Sequence, residues 1–411
     1  MGRQPQRCSA SNRTTRSLGM WPRQGAVLQS TDRRRPQIVY VPSFFASSTD
    51  FRVTVPSSST VNASSQNLFD DPVRGLQDLA EFLPLRALGA AIQCVDPDQN
   101  LRTAAAFGSL YAKIASKRTA RAKSNILRSL PGTTETEADG LAVDSIRYMF
   151  RMFLVDSLAM PRLVNPWSWQ EHVEFASFAP GAELLATDKP GLFITGHCGN
   201  WELLGFTLAA MGFPMTALAR PLDNPYLDQW LLGLREARGL RVLTKWGATD
   251  RIVSMLEGDD PAGRRIGFIA DQNAGESGLF VPFLGRLASS YKSIGLLAMR
   301  YELPVVAGFA RRLGDRFQYR LEMVDYFGPD DWCDQPDPLF YVTARFNRAI
   351  EKMVLSAPEQ YLWIHRRWKS RPKWELEGKE MPASMRKRLE GLPWMDQPTL
   401  DRILSDGSTS A

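Results

Sequence analysis

The sequence predicts an α/β fold with a central, mostly parallel sheet flanked by helices and preceded by a helical segment. Three observations carry this. Short apolar, β-branched runs alternate with helix-period stretches from 190 to 330, the pattern of βαβ units. The runs end in loops rich in Gly, Asn, Asp and Pro. The chain is also long enough, at 411 residues, to bury a large core.

Taken in order, residues 1–65 are rich in Arg, Ser, Thr, Gln and Pro, without periodicity. They read as a disordered basic tail. The first forty residues hold eight Arg and one acid, Asp32, but no apolar core, so no signal peptide is expected. Met20 is an alternative start. Residues 66–160 read as a helical, membrane-proximal segment. Leu76, Leu79, Phe82 and Leu83 form a helical stripe, which Pro84 breaks or kinks. The stretch 104–114 resumes the helix and 116–128 is basic. Leu130-Pro131-Gly132 interrupts, and 133–159 continues with acids in its first turn, as the helix dipole prefers. A basic amphipathic helix suits a membrane surface and equally an ordinary helical cap.

Residues 161–375 read as the α/β core. Strands are expected at 191–195, 215–219, 241–244, 266–270, 304–309 and 317–324. Helices are expected at 201–211, 224–238, 249–258, 290–302 and 339–355. The tail 376–411 reads as loosely ordered.

Composition narrows the function. The net charge is +6, which favours an acidic partner: a phospholipid surface, a phosphorylated ligand, an acidic carrier protein or nucleic acid. The four cysteines, at 8, 94, 198 and 333, form no close-spaced pair, so neither a disulfide framework nor a zinc site is expected. No stretch reaches the ~20 apolar residues of a membrane span. GxGxxG, Walker A, HExxH and GxSxG signatures are absent, and no cofactor or metal is expected.

The most informative run is Gly196-His197-Cys198-Gly199-Asn200-Trp201-Glu202, at a strand-to-helix turn. The chain has only three histidines. Asn200 suits the N-cap, with Glu202 in the first helical turn. A neutral imidazole beside a carboxylate can take a proton from an alcohol near neutral pH. A His near a Glu is more often a core or surface pair, but the tightness of this motif argues for chemistry. Cys198 offers a thiol nucleophile, although adjacent side chains point apart.

Four further motifs follow. Arg220-Pro221-Leu222-Asp223-Asn224-Pro225 lies after a predicted strand; Arg220 suits a phosphate or carboxylate, or ties down its loop. Ala270-Asp271-Gln272-Asn273 lies at another strand end. There Asp271 orients substrate, pairs with Arg220 or caps a turn. Val281-Pro282-Phe283-Leu284-Gly285-Arg286 offers an apolar wall or ordinary core. Finally, five of the nine positions from Arg366 to Trp374 are basic, interleaved with Trp368 and Trp374. That suits lipid headgroups or a phosphorylated sugar, with nucleic acid as a competing reading.

In this order the motifs, with Tyr361-Leu362-Trp363-Ile364-His365-Arg366-Arg367, resemble the bacterial lipid A biosynthesis (lauroyl/myristoyl) acyltransferase family, of the lysophospholipid-acyltransferase-like superfamily. The resemblance spans roughly 125–373. It implies transfer of a fatty acyl chain from a thioester, acyl carrier protein or acyl-CoA, to a hydroxyl of a lipid-linked sugar such as a lipid A precursor. His197 and Glu202 match the family's His-x4-acid motif. His197 is then the general base and Glu202 orients its ring. Arg220, Asn224, Asp271, Gln272, Arg366 and Arg367 are the expected substrate-binding residues. The expected site is the cytoplasmic face of the inner membrane, attached peripherally, with the membrane surface as a partner and no nucleic acid. Two alternatives stay open. One is a phosphatidylinositol-mannoside-type glycolipid acyltransferase using acyl-CoA. The other is a non-catalytic protein binding anionic lipid or nucleic acid.

Overall fold

The computed structural model describes residues 72–408, apart from 177, 245–246 and 259–263. The expected tail 1–65 lies outside the described residues. The helical segment comprises α1 (Pro72–Gln93), α2 (Pro97–Ile114), α3 (Ser116–Ser129), α4 (Glu135–Arg151), a π-helical turn at Met152–Asp156 and α5 (Ser157–Leu163). Pro84 sits inside α1 without ending it. Helix α4 begins at a capping box, in which Thr134 and Glu137 satisfy each other's backbone N–H groups.

The core follows as β1 (Val173–Phe175), α6 (Ala179–Leu185), β2 (Gly191–Thr195), α7 (Trp201–Ala210), β3 (Thr216–Ala219), α8 (Pro225–Glu236), β4 (Arg241–Thr244), α9 (Ala248–Glu257) and β5 (Arg265–Ile269). Then come β6 (Leu279–Phe283), β7 (Arg286–Ser290), α10 (Lys292–Arg300), β8 (Val305–Arg312), β9 (Tyr319–Phe327), α11 (Pro329–Trp332) and α12 (Pro338–Ser356). The C-terminal stretch forms α13 (Lys373–Leu376), α14 (Ala383–Glu390) and α15 (Gln397–Ser408). The loosely ordered tail expected from 376 is therefore corrected. Leu389, Leu392, Leu400 and Ile403 are buried in the main core, and this burial orders an otherwise polar stretch.

Seven strands form one sheet in the order β1-β9-β8-β2-β5-β3-β4, parallel except for the β8–β9 pair. This is the expected α/β architecture. Strand β2 lies at its centre and is buried along its whole length, as a strand covered on both faces must be. Its parallel register with β5 pairs Thr195 with Ile269. The residues two positions beyond each, His197 and Asp271, therefore emerge side by side. Strands β6 and β7 form a separate antiparallel hairpin; it contains the motif at 281–286, for which an apolar wall or ordinary core is expected, and Val281, Phe283 and Leu284 lie in the main core.

A buried ion pair ties the helical segment to the sheet. Asp156, on the π-helical turn, is fully buried and bonds to Arg312 of β8, to the Tyr319 hydroxyl of β9 and to Asn200 Nδ2 at 3.2 Å. Removing one partner leaves an uncompensated buried charge, a change that costs about 3–5 kcal/mol. Arg312→Ala is expected to lower the unfolding free energy by that amount, read as a fall in the urea midpoint at unchanged m. An unchanged midpoint would refute the role assigned to this pair.

Candidate active site

The site is built on the loop between β2 and α7. Gly199 has a φ of 63°, and a Cβ there would stand 2.3 Å from the Ala310 carbonyl oxygen. Only glycine fits so close an approach. The loop is then pinned at several points. Asn200 N–H donates to Ala310 O at 2.8 Å, Gly199 N–H to Gln360 O at 3.1 Å, and Leu362 N–H to His197 O at 3.0 Å. The Asn200 side chain caps α7, accepting from Leu203 N–H at 2.9 Å.

Asp271 grips His197 twice. The His197 backbone N–H donates to Oδ2 at 2.9 Å, and ring Nδ1 lies 2.7 Å from Oδ1. Burial opposes ionisation of Asp271, but the charge and hydrogen bonds of His197 outweigh it and hold the carboxyl at about 2. An ionised carboxylate only accepts. Nδ1 must therefore carry a proton, and Nε2 is the ring atom left free of the carboxylate. Gln272 reaches toward it, with its Nε2 3.5 Å from the imidazole Nε2. The Trp201 ring meets the imidazole edge-on at 4.8 Å, and His365 stacks on it at 5.7 Å.

Glu202 does not take the orienting position expected of it. Both of its oxygens face Arg235, at 2.8 and 2.7 Å from Nε and Nη2. The physical reason is the helical turn. One residue past Trp201, Glu202 points toward α8, whereas Asp271 stands beside His197 on the adjacent strand end. Arg367 is likewise corrected as a substrate ligand. It is 1% exposed, and it donates to Ser289 O at 2.5 Å, Ser290 Oγ at 2.6 Å and Asn347 Oδ1 at 2.9 Å. It clamps the β6–β7 hairpin to α12. Asn224 caps α8, and its Nδ2 donates to Asp78 O of α1 at 2.8 Å. Arg220 and Arg366 lie exposed on the surface. Cys198 is fully buried, and burial pushes its thiol well above the ordinary value, which removes it as a nucleophile.

Two cavities adjoin the loop. A small one, about 190 Å³, is lined by His197, Trp201, Ser145, Tyr148 and Leu362. The larger is an apolar cleft of about 820 Å³ of space, part of it open to solvent. It runs between α7 and the sheet, from Thr195 and Ile269 at the strand ends to Met215 and Leu240 at the far edge. Trp201 lines both. Glu202 and Arg235 are the charged residues of the cleft wall.

The residues from 70 to 370 match the model of the bacterial lipid A biosynthesis acyltransferase family. The chain belongs to this family. It is 30% identical to the lipid A biosynthesis lauroyltransferase of Escherichia coli K12 over 46% of its own length and 59% of that protein, so this alignment spans less than two thirds of the relative. It is 25% identical to a lipid A biosynthesis acyltransferase of Haemophilus influenzae over 65% of its length and 83% of the relative. The same values hold for the lipid A biosynthesis palmitoleoyltransferase of E. coli K12.

In this family member, His365 and Trp201 are the site neighbours that sequence reasoning left out. Trp201 lay inside the motif already singled out, and His365 was one of three histidines. Burial pushes His365 down to about 4, with the charges of His197 and Arg367 acting the same way and Asp271 against them. Its folded value thus lies below the unfolded value of about 6.5. The unfolded chain binds the extra proton between the two, so stability present above about pH 6.5 is lost as pH falls toward 4. The loss is expected to reach about 2–3 kcal/mol. Urea midpoints across this window should flatten in His365→Gln. An unaltered slope would rule out this origin. Among the described residues no cluster of three or more His, Cys, Asp or Glu side chains is placed to hold a metal ion.

Proposed function

We propose that this chain transfers a fatty acyl group from a thioester donor to a hydroxyl of a lipid-linked sugar of the lipid A precursor type. The observation that carries the reading is the buried His197–Asp271 pair next to an apolar cleft on an acyltransferase-family core. His197 Nε2 takes the proton of the acceptor hydroxyl as its oxygen attacks the thioester carbonyl; the tetrahedral intermediate then collapses with cleavage of the C–S bond, and the imidazolium returns the proton to the departing thiolate, giving ester and free thiol. Asp271 fixes the tautomer and stabilises the imidazolium that forms. Gln272, beside Nε2, holds the attacking hydroxyl. The acyl chain lies in the cleft under α7, with Trp201 at the junction between chain and reacting carbonyl. Glu202, paired with Arg235, shapes the cleft wall. Arg220, exposed one residue beyond β3, meets the anionic part of the substrate.

No described helix is long and apolar enough to cross a membrane. Attachment through a surface fits α2, where Phe107, Leu110 and Ile114 stand exposed along one face. They lie close to Lys113, Lys117 and Arg118 in sequence. The formal charge of +6 suits both an acidic acyl carrier protein and anionic lipid.

The test supplies acyl carrier protein and acyl-CoA thioesters separately, with a lipid A precursor, and follows the acceptor by mass spectrometry. The reading expects a mass gain of one acyl chain with at least one donor. No gain with either donor would overturn it.

A further inference from the structure

A second cluster of charge lies away from His197, where α15 meets α3 and the β6–β7 turn. The carboxylate of Asp406 is shared by three arginines. It accepts from Arg371 Nη2 at 2.7 Å, from Arg286 Nε at 3.2 Å and from Arg128. A fourth arginine, Arg402, donates to Ser129 O at 3.2 Å and Leu284 O at 3.4 Å. Its guanidinium occupies the space over Gly285, where a Cβ would stand 2.5 Å from Cζ. A second carboxylate is Glu375, bonded to Arg371 at 2.7 Å. Among the described residues, four guanidinium groups therefore meet Asp406 and Glu375, while Glu351, which accepts from Leu284 N–H, adds its charge on the Arg402 side.

The Arg286 side chain is 5% exposed, yet its Nη1 is buried without a hydrogen-bond partner. Burial pushes Arg286 down to about 10, and the charges of Arg128 and Arg371 act the same way against Asp406. Arg128, Arg286, Arg402, Ser405 and Asp406 line an open polar cavity of about 540 Å³, part of it solvent. A buried guanidinium that is bonded to Asp406 through Nε and stacked on Trp368 at 4.3 Å, but has Nη1 unsatisfied in the wall of a cationic cavity, is a geometry that an anion completes. A phosphomonoester carries close to two negative charges at neutral pH and offers three acceptor oxygens to a cationic wall. A phosphodiester carries one charge. Arg371, Arg402, Ser405 and Asp406 lie beyond residue 370, where the family match ends. The cavity is therefore partly built from sequence outside the family's common core.

We propose that this cavity is a binding site for a phosphomonoester group, with Arg128, Arg286 and Arg402 as its cationic wall. The group can come from a free phosphate or from a lipid headgroup. The test uses the full chain. Inorganic phosphate is titrated by calorimetry at constant ionic strength, against wild type, Arg402→Lys and the Arg128→Gln/Arg402→Gln double variant, with circular dichroism as the folding control. Saturable binding in the millimolar range or tighter is expected. The double variant should weaken it at least tenfold, and Arg402→Lys should weaken it less. In parallel, vesicles of phosphatidylcholine containing either phosphatidic acid or phosphatidylglycerol are sedimented with each protein. Recruitment by phosphatidic acid alone, lost in the double variant, identifies a lipid headgroup. Phosphate binding without such recruitment identifies a soluble phosphomonoester. No saturable phosphate binding by wild type, or equal affinity in a folded double variant, would overturn the proposal and leave the cluster as a clamp that docks α15.

Discussion

His197→Ala is expected to lower kcat/KM for acyl transfer by about 10²–10⁴-fold, the range typical of a positioned general base. With Nδ1 committed to Asp271, only Nε2 faces the reacting hydroxyl, and no other side chain near it is equipped to replace it. His365 is pushed to about 4 by burial; a base that weak at neutral pH takes little of the proton. Cys198 is sealed in the core. The variant should still bind acyl donor, because the cleft is formed by other residues. Donor binding by fluorescence and turnover by thiol release, measured together, separate the two effects. Equal turnover in variant and wild type would end the general-base assignment.

Asp271→Asn is expected to cost nearly as much, about 10²–10⁴-fold in kcat, while Glu202→Gln should cost far less. The asparagine keeps the shape but loses the charge that stabilises the imidazolium, and it permits the wrong ring tautomer. Its second contact, to the His197 backbone N–H, also weakens. Glu202→Gln instead loosens the Arg235 pair in the cleft wall and should appear mainly in KM for the acyl donor. The two variants decide between the spacing in the sequence and the pairing in space. A larger kcat loss in Glu202→Gln than in Asp271→Asn would return the orienting role to Glu202.

This contrast shows where sequence reading stops. The strand at 191–195 carries a dense apolar run and that at 241–244 a Val-Leu pair, each with a glycine soon after, so they are legible locally and coincide with β2 and β4. The neighbour of His197 is set by strand order, which depends on packing among β2, β5 and β8. Nothing within the motif reports it. Asp271 was visible as a strand-end acid, but its partner was not. Glu202 is close to His197 in sequence, but its partner in space, Arg235, is set by the packing of α7 against α8. Arg367 drew notice for its charge, yet the hydrogen bonds that consume it come from residues 20 to 78 positions away in sequence. The β6–β7 hairpin escaped because Pro282 argues against a strand, and an isolated hairpin tolerates it. Helix α14 escaped because only Met385 and Leu389 mark its inner face.

The pinning of the His197 loop has a consequence for biosynthesis of the chain itself. The loop is fastened by the backbones of Gln360 and Leu362 and by Ala310, all made long after residue 197 leaves the ribosome. A growing or truncated chain that ends before these positions holds the histidine but lacks the frame that aims it. If the proposed acyl transfer runs through His197, it is thus withheld until the chain beyond residue 362 has been made. A fragment clipped upstream of that point should be inert rather than wastefully hydrolytic.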